Sequence, residues 1–311
     1  MGAWFSENGL LVGLAALDGL SYAAAVFMVA VGLNLVFGVL RVLNIAHGSL
    51  YAIGGYSAAS LGLFMTSRGL PEWLAYPALV VAAALVGALL GPPIERLLLR
   101  RMQDHEPVLQ LLVTFALFMI LEDLQKLIWG VQPVVSDAPV RLLGTVDIPF
   151  GADVIPFNAY QLYVLPGIAL LTLVGLAWFL RRTLAGRMIV AVTTDREAAR
   201  AMGIDAAKVT LLTFTAGAAL AALGGALASP TVSLVPGVGA QTIVLSFAVV
   251  ATAGLGQIEG AAIAALLIGL GRSFAVYLEP ELEVVIPYVI MLAVLLVRPQ
   301  GLFGVAETRR I

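Results

Sequence analysis

The feature that most constrains this chain is a series of long apolar runs separated by short charged clusters. The runs fall at about 18–40, 43–64, 75–99, 108–130, 160–180, 209–228, 242–256, 258–278 and 283–297. An α-helix rises 1.5 Å per residue, so about 20 apolar residues cross the hydrocarbon of a bilayer and most of these runs suffice. The pattern predicts an all-α fold: a polytopic helical membrane protein of about eight or nine spans. The runs at 242–256 and 283–297 are short. Each is expected to be tilted, re-entrant or broken, and broken backbone at membrane depth is tolerated only where protein buries it or it lines a cavity. A transmembrane β-barrel would alternate over segments of ~10 residues, and the stretch from Ala78 to Leu90 does not alternate.

Composition removes several function classes. Charged residues make up 12% of the 311, against about 25% in a soluble domain, so lipid rather than water must solvate the surface. A net charge of -2 offers no basic field to nucleic acid. There is no cysteine, hence no disulfide framework and no thiol chemistry. The two histidines, His47 and His105, lie too far apart in sequence to suggest a metal centre. The first residues carry no basic cluster, so no cleavable signal peptide is expected. Gly2 and Ser6 loosely match an acylation pattern. A chain with several spans gains little from one acyl anchor.

Lys and Arg are enriched in cytoplasmic loops, and their placement sets the expected orientation. If 181–208 is cytoplasmic and there are nine spans, its six basic residues join Arg41, Arg96, Arg100, Arg101, Arg298, Arg309 and Arg310 on the inner side. Arg68 and Arg141 alone fall outside, while Lys126 and Arg272 sit within spans. The amino terminus is therefore expected outside and the carboxyl terminus in the cytoplasm. The whole chain, 1–311, reads as a single transmembrane domain with a polar extracytoplasmic loop at 131–159 and a charged cytoplasmic loop at 181–208.

That cytoplasmic loop carries a helix signal. Thr194-Asp195-Arg196-Glu197 has the form of a capping box, with Thr194 capping and Glu197 reaching back. Gly203 can supply a left-handed stop. A helix over about Asp195 to Met202 is expected, presenting Ala198, Ala199, Ala201 and Met202 as a small apolar surface beside Arg196 and Arg200. Such a helix is either a solvated link between spans or a knob that seats in a partner's groove.

Glu197-Ala198-Ala199, three residues, then Gly203 resembles the EAA loop of ABC importer permeases, the coupling helix that docks on the ATPase subunit. The later Ile-x-Leu-Pro part of that motif is absent near Thr213, Thr215 and Ala216. A second resemblance spans more of the chain. Gly32 to Gly48, with Asn44-Ile45-Ala46-His47-Gly48 at its core, resembles the signature of LivH-type permeases of branched-chain amino-acid ABC importers. Gly254-Leu255-Gly256-Gln257-Ile258-Glu259-Gly260-Ala261 resembles that family's glycine turn, with Ala253 and Gln257 as departures. Arg298 to Gly304 resembles its RPQGLFG ending.

The resemblance implies a permease subunit in a bacterial inner membrane, fed by an extracytoplasmic substrate-binding protein. It also implies two ABC ATPase subunits that hold ATP and Mg, and a second related permease or a second copy of this chain. The chain has no Gly-Lys-Ser/Thr phosphate loop and needs no cofactor or metal of its own. Thr194, Asp195, Arg196, Glu197, Ala198, Ala199, Arg200 and Gly203 would then couple to the ATPase. Gly254, Gly256 and Gly260 would form the family turn. Urea or short amides are alternative substrates carried by relatives. A secondary transporter or channel is the reading from a different class, but it would need membrane-embedded carboxylates in facing repeats.

Polar residues at membrane depth must face protein or a cavity. Asn44, His47 and Tyr51 share a helical face by their spacing, and with Asn34 they either fix the fold by hydrogen bonds or line the substrate passage. Arg272 either snorkels to the outer interface or holds a substrate carboxylate. Glu122 and Lys126 are spaced for an intrahelical pair, or for contact with the external binding protein.

Overall fold

The computed structural model describes residues 2–304 except 104, 151 and 152. Arg309 and Arg310, counted above toward the inner face, lie outside these residues. In order, the chain forms α1 (Gly2–Leu40), α2 (His47–Ser67) and α3 (Ala75–Ile94), which continues through a π-turn (Glu95–Leu99) into α4 (Arg100–Met102). Then come α5 (Pro107–Trp129), α6 (Ala138–Leu143), β1 (Thr145–Phe150) and β2 (Asp153–Asn158). A π-turn (Tyr160–Val164) opens α7 (Leu165–Arg182), followed by α8 (Leu184–Thr194), α9 (Arg196–Ala201), α10 (Ala206–Ala228), α11 (Val238–Ala253), α12 (Ile258–Leu278) and α13 (Ile286–Val297).

Every expected apolar run overlaps a helix, and among the described residues six helical segments are long and apolar enough to cross a membrane. α2 has the length, at 21 residues, but glycine and serine dilute its hydropathy. The two short runs are indeed short helices: α11 has 16 residues and α13 has 12, less than about 30 Å of hydrocarbon requires. The expected all-α character holds for the membrane part, while the 131–159 loop adds an antiparallel hairpin in which Thr145 pairs with Asn158 and Ile148 with Ile155. Val134 is bridged to Leu234, so this loop is tied to the segment between α10 and α11.

Burial separates the helices into centre and rim. The apolar window of α1 is 89% buried and that of the segment opening α7 is 11% buried, so α1 is the axis and α7 faces lipid. Leu127, Leu171 and Leu89 are exposed, as side chains solvated by acyl chains can be. Around the axis, small residues let backbones touch. Gly32 of α1 lies against Gly217 and Ala221 of α10, and Gly54 of α2 lies against the Ala222 backbone. Without a hydrophobic drive between helices in lipid, such close van der Waals seams hold the bundle together.

α1 and α12 run antiparallel: Gly19 meets Leu270 and Ser273 at one end, and Gly38 meets Gly256 at the other. At that second end Arg41 donates to the Thr193 carbonyl at 3.4 Å, which fixes α8 beneath α1. α3 carries Pro92 and Pro93 inside it. Proline removes backbone donors, and the helix widens into the π-turn directly afterwards. Inside that turn the Glu95 side chain is fully buried and takes a bidentate pair from Arg100, at 3.1 and 2.9 Å.

The 181–208 loop is more structured than expected, because Leu184–Thr194 is itself a helix, capped where the Thr183 hydroxyl accepts from Gly186 N at 3.0 Å. This corrects the cap of α9. Thr194 ends α8, its hydroxyl donating back to Val190 O at 2.9 Å, and the Asp195 carboxylate instead accepts from Ala198 N at 2.9 Å. Gly203 takes the positive φ, +85°, expected of a helix stop.

Candidate functional site

At the end of α1 remote from α8 and α9, the packed helices leave a cavity of about 270 Å³. α1 contributes Asp18 and Tyr22, α2 contributes Tyr51, the π-turn before α7 contributes Gln161, α11 contributes Thr242 and Ser246, and α12 contributes Arg272 and Tyr277. Ala25, Val26, Val29 and Leu245 give the remaining wall an aliphatic surface.

The polar groups are held in place by their neighbours. The Ser21 hydroxyl bonds to Gln161 O at 2.8 Å, tying α1 to the π-turn. The Tyr277 hydroxyl donates to the Asp18 carboxylate. Arg272 donates to Glu283 at the rim, and its guanidinium lies 4.0 Å from the centre of the Tyr22 ring.

The four residues singled out for a passage do not assemble there. Tyr51 lines the cavity together with Thr242. Asn34 is fully buried about 24 Å along α1 from Asp18. It accepts from Gly256 N at 2.6 Å and donates to Gln257 O at 2.7 Å. Asn44 lies before α2 rather than on it, so the shared helical face starts at His47. The Asn44 carbonyl accepts from His47 N at 3.2 Å, while its buried side-chain amide has no partner among the described residues. His47 Nε2 lies 3.3 Å from Val29 O, and Nδ1 is unpartnered.

Three motifs that are distant in sequence meet at the opposite corner. Gly254 and Gly256 both have positive φ, at +98° and +82°, and turn the chain from α11 into α12. The carboxyl-terminal segment closes over this turn, with Leu302 N on Thr252 O at 2.8 Å and Phe303 N on Ala253 O at 2.9 Å. Gly260 leaves room for the Phe303 ring. With Asn34 bonded to the same turn, the signature glycines and asparagine build a structural joint beside α8.

α9 stands next to that joint. Ala199 is buried against Val39, Val192, Ala206 and Val209. Asp195, Glu197, Ala198, Arg200, Met202 and Gly203 are exposed, and Arg196 and Thr194 flank them. Of the apolar surface expected on this helix, Ala199 therefore anchors it inward and the rest faces outward. Glu122 and Lys126 form the intrahelical pair at 3.3 Å, with Asp123 joining at 3.0 Å. Sequence reasoning missed Asp18, Gln161 and Tyr277. Asp18 had a usable signal, as a carboxylate at the start of an apolar run, whereas Gln161 and Tyr277 gave none.

The family model described as the branched-chain amino acid transport system permease component matches residues 15–295. The chain is 26% identical over 94% of its length to the high-affinity branched-chain amino acid transport system permease protein LivH of Salmonella typhimurium, covering 96% of that protein. It is 27% identical to BraD, the corresponding permease protein of Pseudomonas aeruginosa, again over 94% of this chain and 96% of the relative. Against LivM of Escherichia coli it is 26% identical, covering 88% of this chain and 67% of the relative. A polytopic helical chain matched over almost its whole length by that family model is a permease-type membrane protein, and it belongs to the branched-chain amino acid transport system permease family.

Proposed function

We propose that the chain is one permease subunit of an ABC importer for leucine, isoleucine and valine, working in a bacterial inner membrane. The observation that carries this reading is the family match from residue 15 to 295, together with LivH and BraD relatives aligned over almost their full length. Two ATPase subunits bind on the cytoplasmic side and hold ATP and Mg, and an extracytoplasmic binding protein delivers the substrate. Similarity to both LivH and LivM supports pairing with a second, related permease.

The amino terminus lies outside and the carboxyl terminus inside, with eight or nine helical segments in or across the membrane. The exposed face of α9 docks on an ATPase, with Glu197, Ala198, Arg200 and Gly203 at the contact. Force enters there because α9 is short, capped by Asp195 and anchored by Ala199 under α1 and α10. Closure of the ATPases shifts α8 and α9, and the joint at Gly254 and Gly256 carries the shift to α11 and α12.

The test is reconstitution of the four-component importer in liposomes with its binding protein. Receptor-stimulated ATP hydrolysis and leucine uptake are expected, and both are expected to fail in the double variant Glu197→Arg with Arg200→Glu. Uptake by this chain alone, without ATPase, would point instead to a secondary transporter or channel. Stabilisation of the binding protein by urea or an amide, and by no amino acid, would move the substrate to that class.

A further inference from the structure

Deepening the importer reading and resting on it, we propose that the cavity between α1 and α12 holds the free amino acid as a zwitterion, with Asp18 taking the ammonium and Arg272 the carboxylate. The charge arrangement carries the argument. Among the described residues the Asp18 carboxylate has one hydrogen-bond partner, the neutral Tyr277 hydroxyl, and no cation. It stands in the wall of a cavity in the first membrane helix. A carboxylate partly withdrawn from water and facing a cavity attracts a cation.

Arg272, in the same wall, is compensated by Glu283, which comes from the segment between α12 and α13. The side chains of this pair are 26% and 35% exposed, so Glu283 can exchange Arg272 for water. A planar guanidinium can donate to a carboxylate in bidentate geometry. A substrate carboxylate can therefore replace that of Glu283 without leaving a buried charge unpaired. The aromatic face of Tyr22 keeps the guanidinium in position during the exchange.

The remaining wall fixes the class of side chain. Val26, Val29 and Leu245 are aliphatic, suited to a branched hydrocarbon. The volume of about 270 Å³ lies just below the ~300 Å³ at which pockets for drug-sized ligands begin, which suits a single small amino acid. Urea and short amides carry no net charge at either end and would leave Asp18 without a cation. The cavity thus selects for opposite charges on one small molecule, with Glu283 as a latch that the substrate displaces.

The experiment uses the complete importer in liposomes, with labelled leucine as the probe and uptake expressed per ATP hydrolysed. Asp18→Asn and Arg272→Gln are expected to lower that ratio at least tenfold. Asp18→Glu should recover part of it, because the charge returns. Glu283→Gln should raise uptake at low leucine, because the latch is released. Wild-type ratios in Asp18→Asn and Arg272→Gln would overturn the proposal. So would a Glu283→Gln variant that falls as far as Arg272→Gln, because the pair would then be a clamp between helices. Should Asp18→Asn fail to assemble, the opposed responses of Arg272→Gln and Glu283→Gln decide alone. A wild-type complex whose ATP hydrolysis ignores the binding protein would sink the importer reading itself, a distinct result.

Discussion

The side-chain amide of Asn34 closes the turn at Gly256, accepting from its backbone N–H at 2.6 Å while donating to the next carbonyl at 2.7 Å. One buried amide on the central helix therefore satisfies two backbone groups between α11 and α12. Replacing it leaves the partly buried Gly256 N–H without this acceptor, at a cost of about 1–3 kcal/mol, while the Gln257 carbonyl keeps only Ala261 N, at 3.0 Å. Asn34→Ala is expected to unfold in detergent well below the wild-type temperature. Asn34→Asp keeps the acceptor but brings an unpaired charge and should do no better. A melting curve of Asn34→Ala superimposed on the wild type would show that the turn holds without the clamp.

The close seam at Gly54 yields a contrast between two identical substitutions. A β-carbon on Gly54 would collide with the backbone of Ala222, whereas one on Gly175 of α7 meets nothing within 4 Å. Overpacking a tight contact costs about 1–3 kcal/mol, while relief from helical glycine gains about 0.5–1 kcal/mol. Gly54→Ala should thus destabilise the protein and Gly175→Ala leave it unchanged or firmer. Equal thermal shifts for the two would contradict the packing described for α2 and α10.

Glu95 and Arg100 differ in burial, so their removal should differ in cost. The Glu95 side chain is fully buried, while that of Arg100 is 39% exposed. Arg100→Ala strands a buried carboxylate, which typically costs about 3–5 kcal/mol. Glu95→Gln leaves a guanidinium that water can reach and should cost about 1–3 kcal/mol, the scale of a hydrogen bond to a charged group. Chemical denaturation of the two variants side by side measures the order, and a reversed order would refute it.

The cap of α9 can be tested by separating Asp195 from Thr194. Asp195→Ala removes the acceptor for Ala198 N and should weaken the helix by about 1 kcal/mol. Thr194→Ala removes only a bond back to Val190 O. Receptor-stimulated ATP hydrolysis is expected to drop severalfold in the first variant and to stay near wild type in the second. A larger loss in Thr194→Ala would restore Thr194 as the cap.

The helical segments were legible because each apolar run is long and its period is local. The α9 helix was legible to within a residue at either end, since an acid followed by small helix formers and Gly203 is a local signal. Its cap is ambiguous in the sequence because both Thr194 and Asp195 are capping residues. Only the continuation of α8 through Thr194 places that hydroxyl inside a helix. The place of Asn44 is hidden in the sequence for a related reason: α2 begins at His47 because the preceding residues, Arg41 with φ +56° among them, turn the chain.

Hydropathy and short motifs are properties of neighbouring residues, so the membrane character of the chain, its long apolar helices and its family resemblance can be read from the amino-acid order. What the polar residues do is set by the packed fold. It sent Asn34 to a turn more than two hundred residues away and gathered Asp18, Arg272 and Tyr277 around one cavity. The physical reason is that a polar group at membrane depth must find its partner inside the protein. Which partner it finds depends on how antiparallel helices pack, and no stretch of the chain encodes that alone.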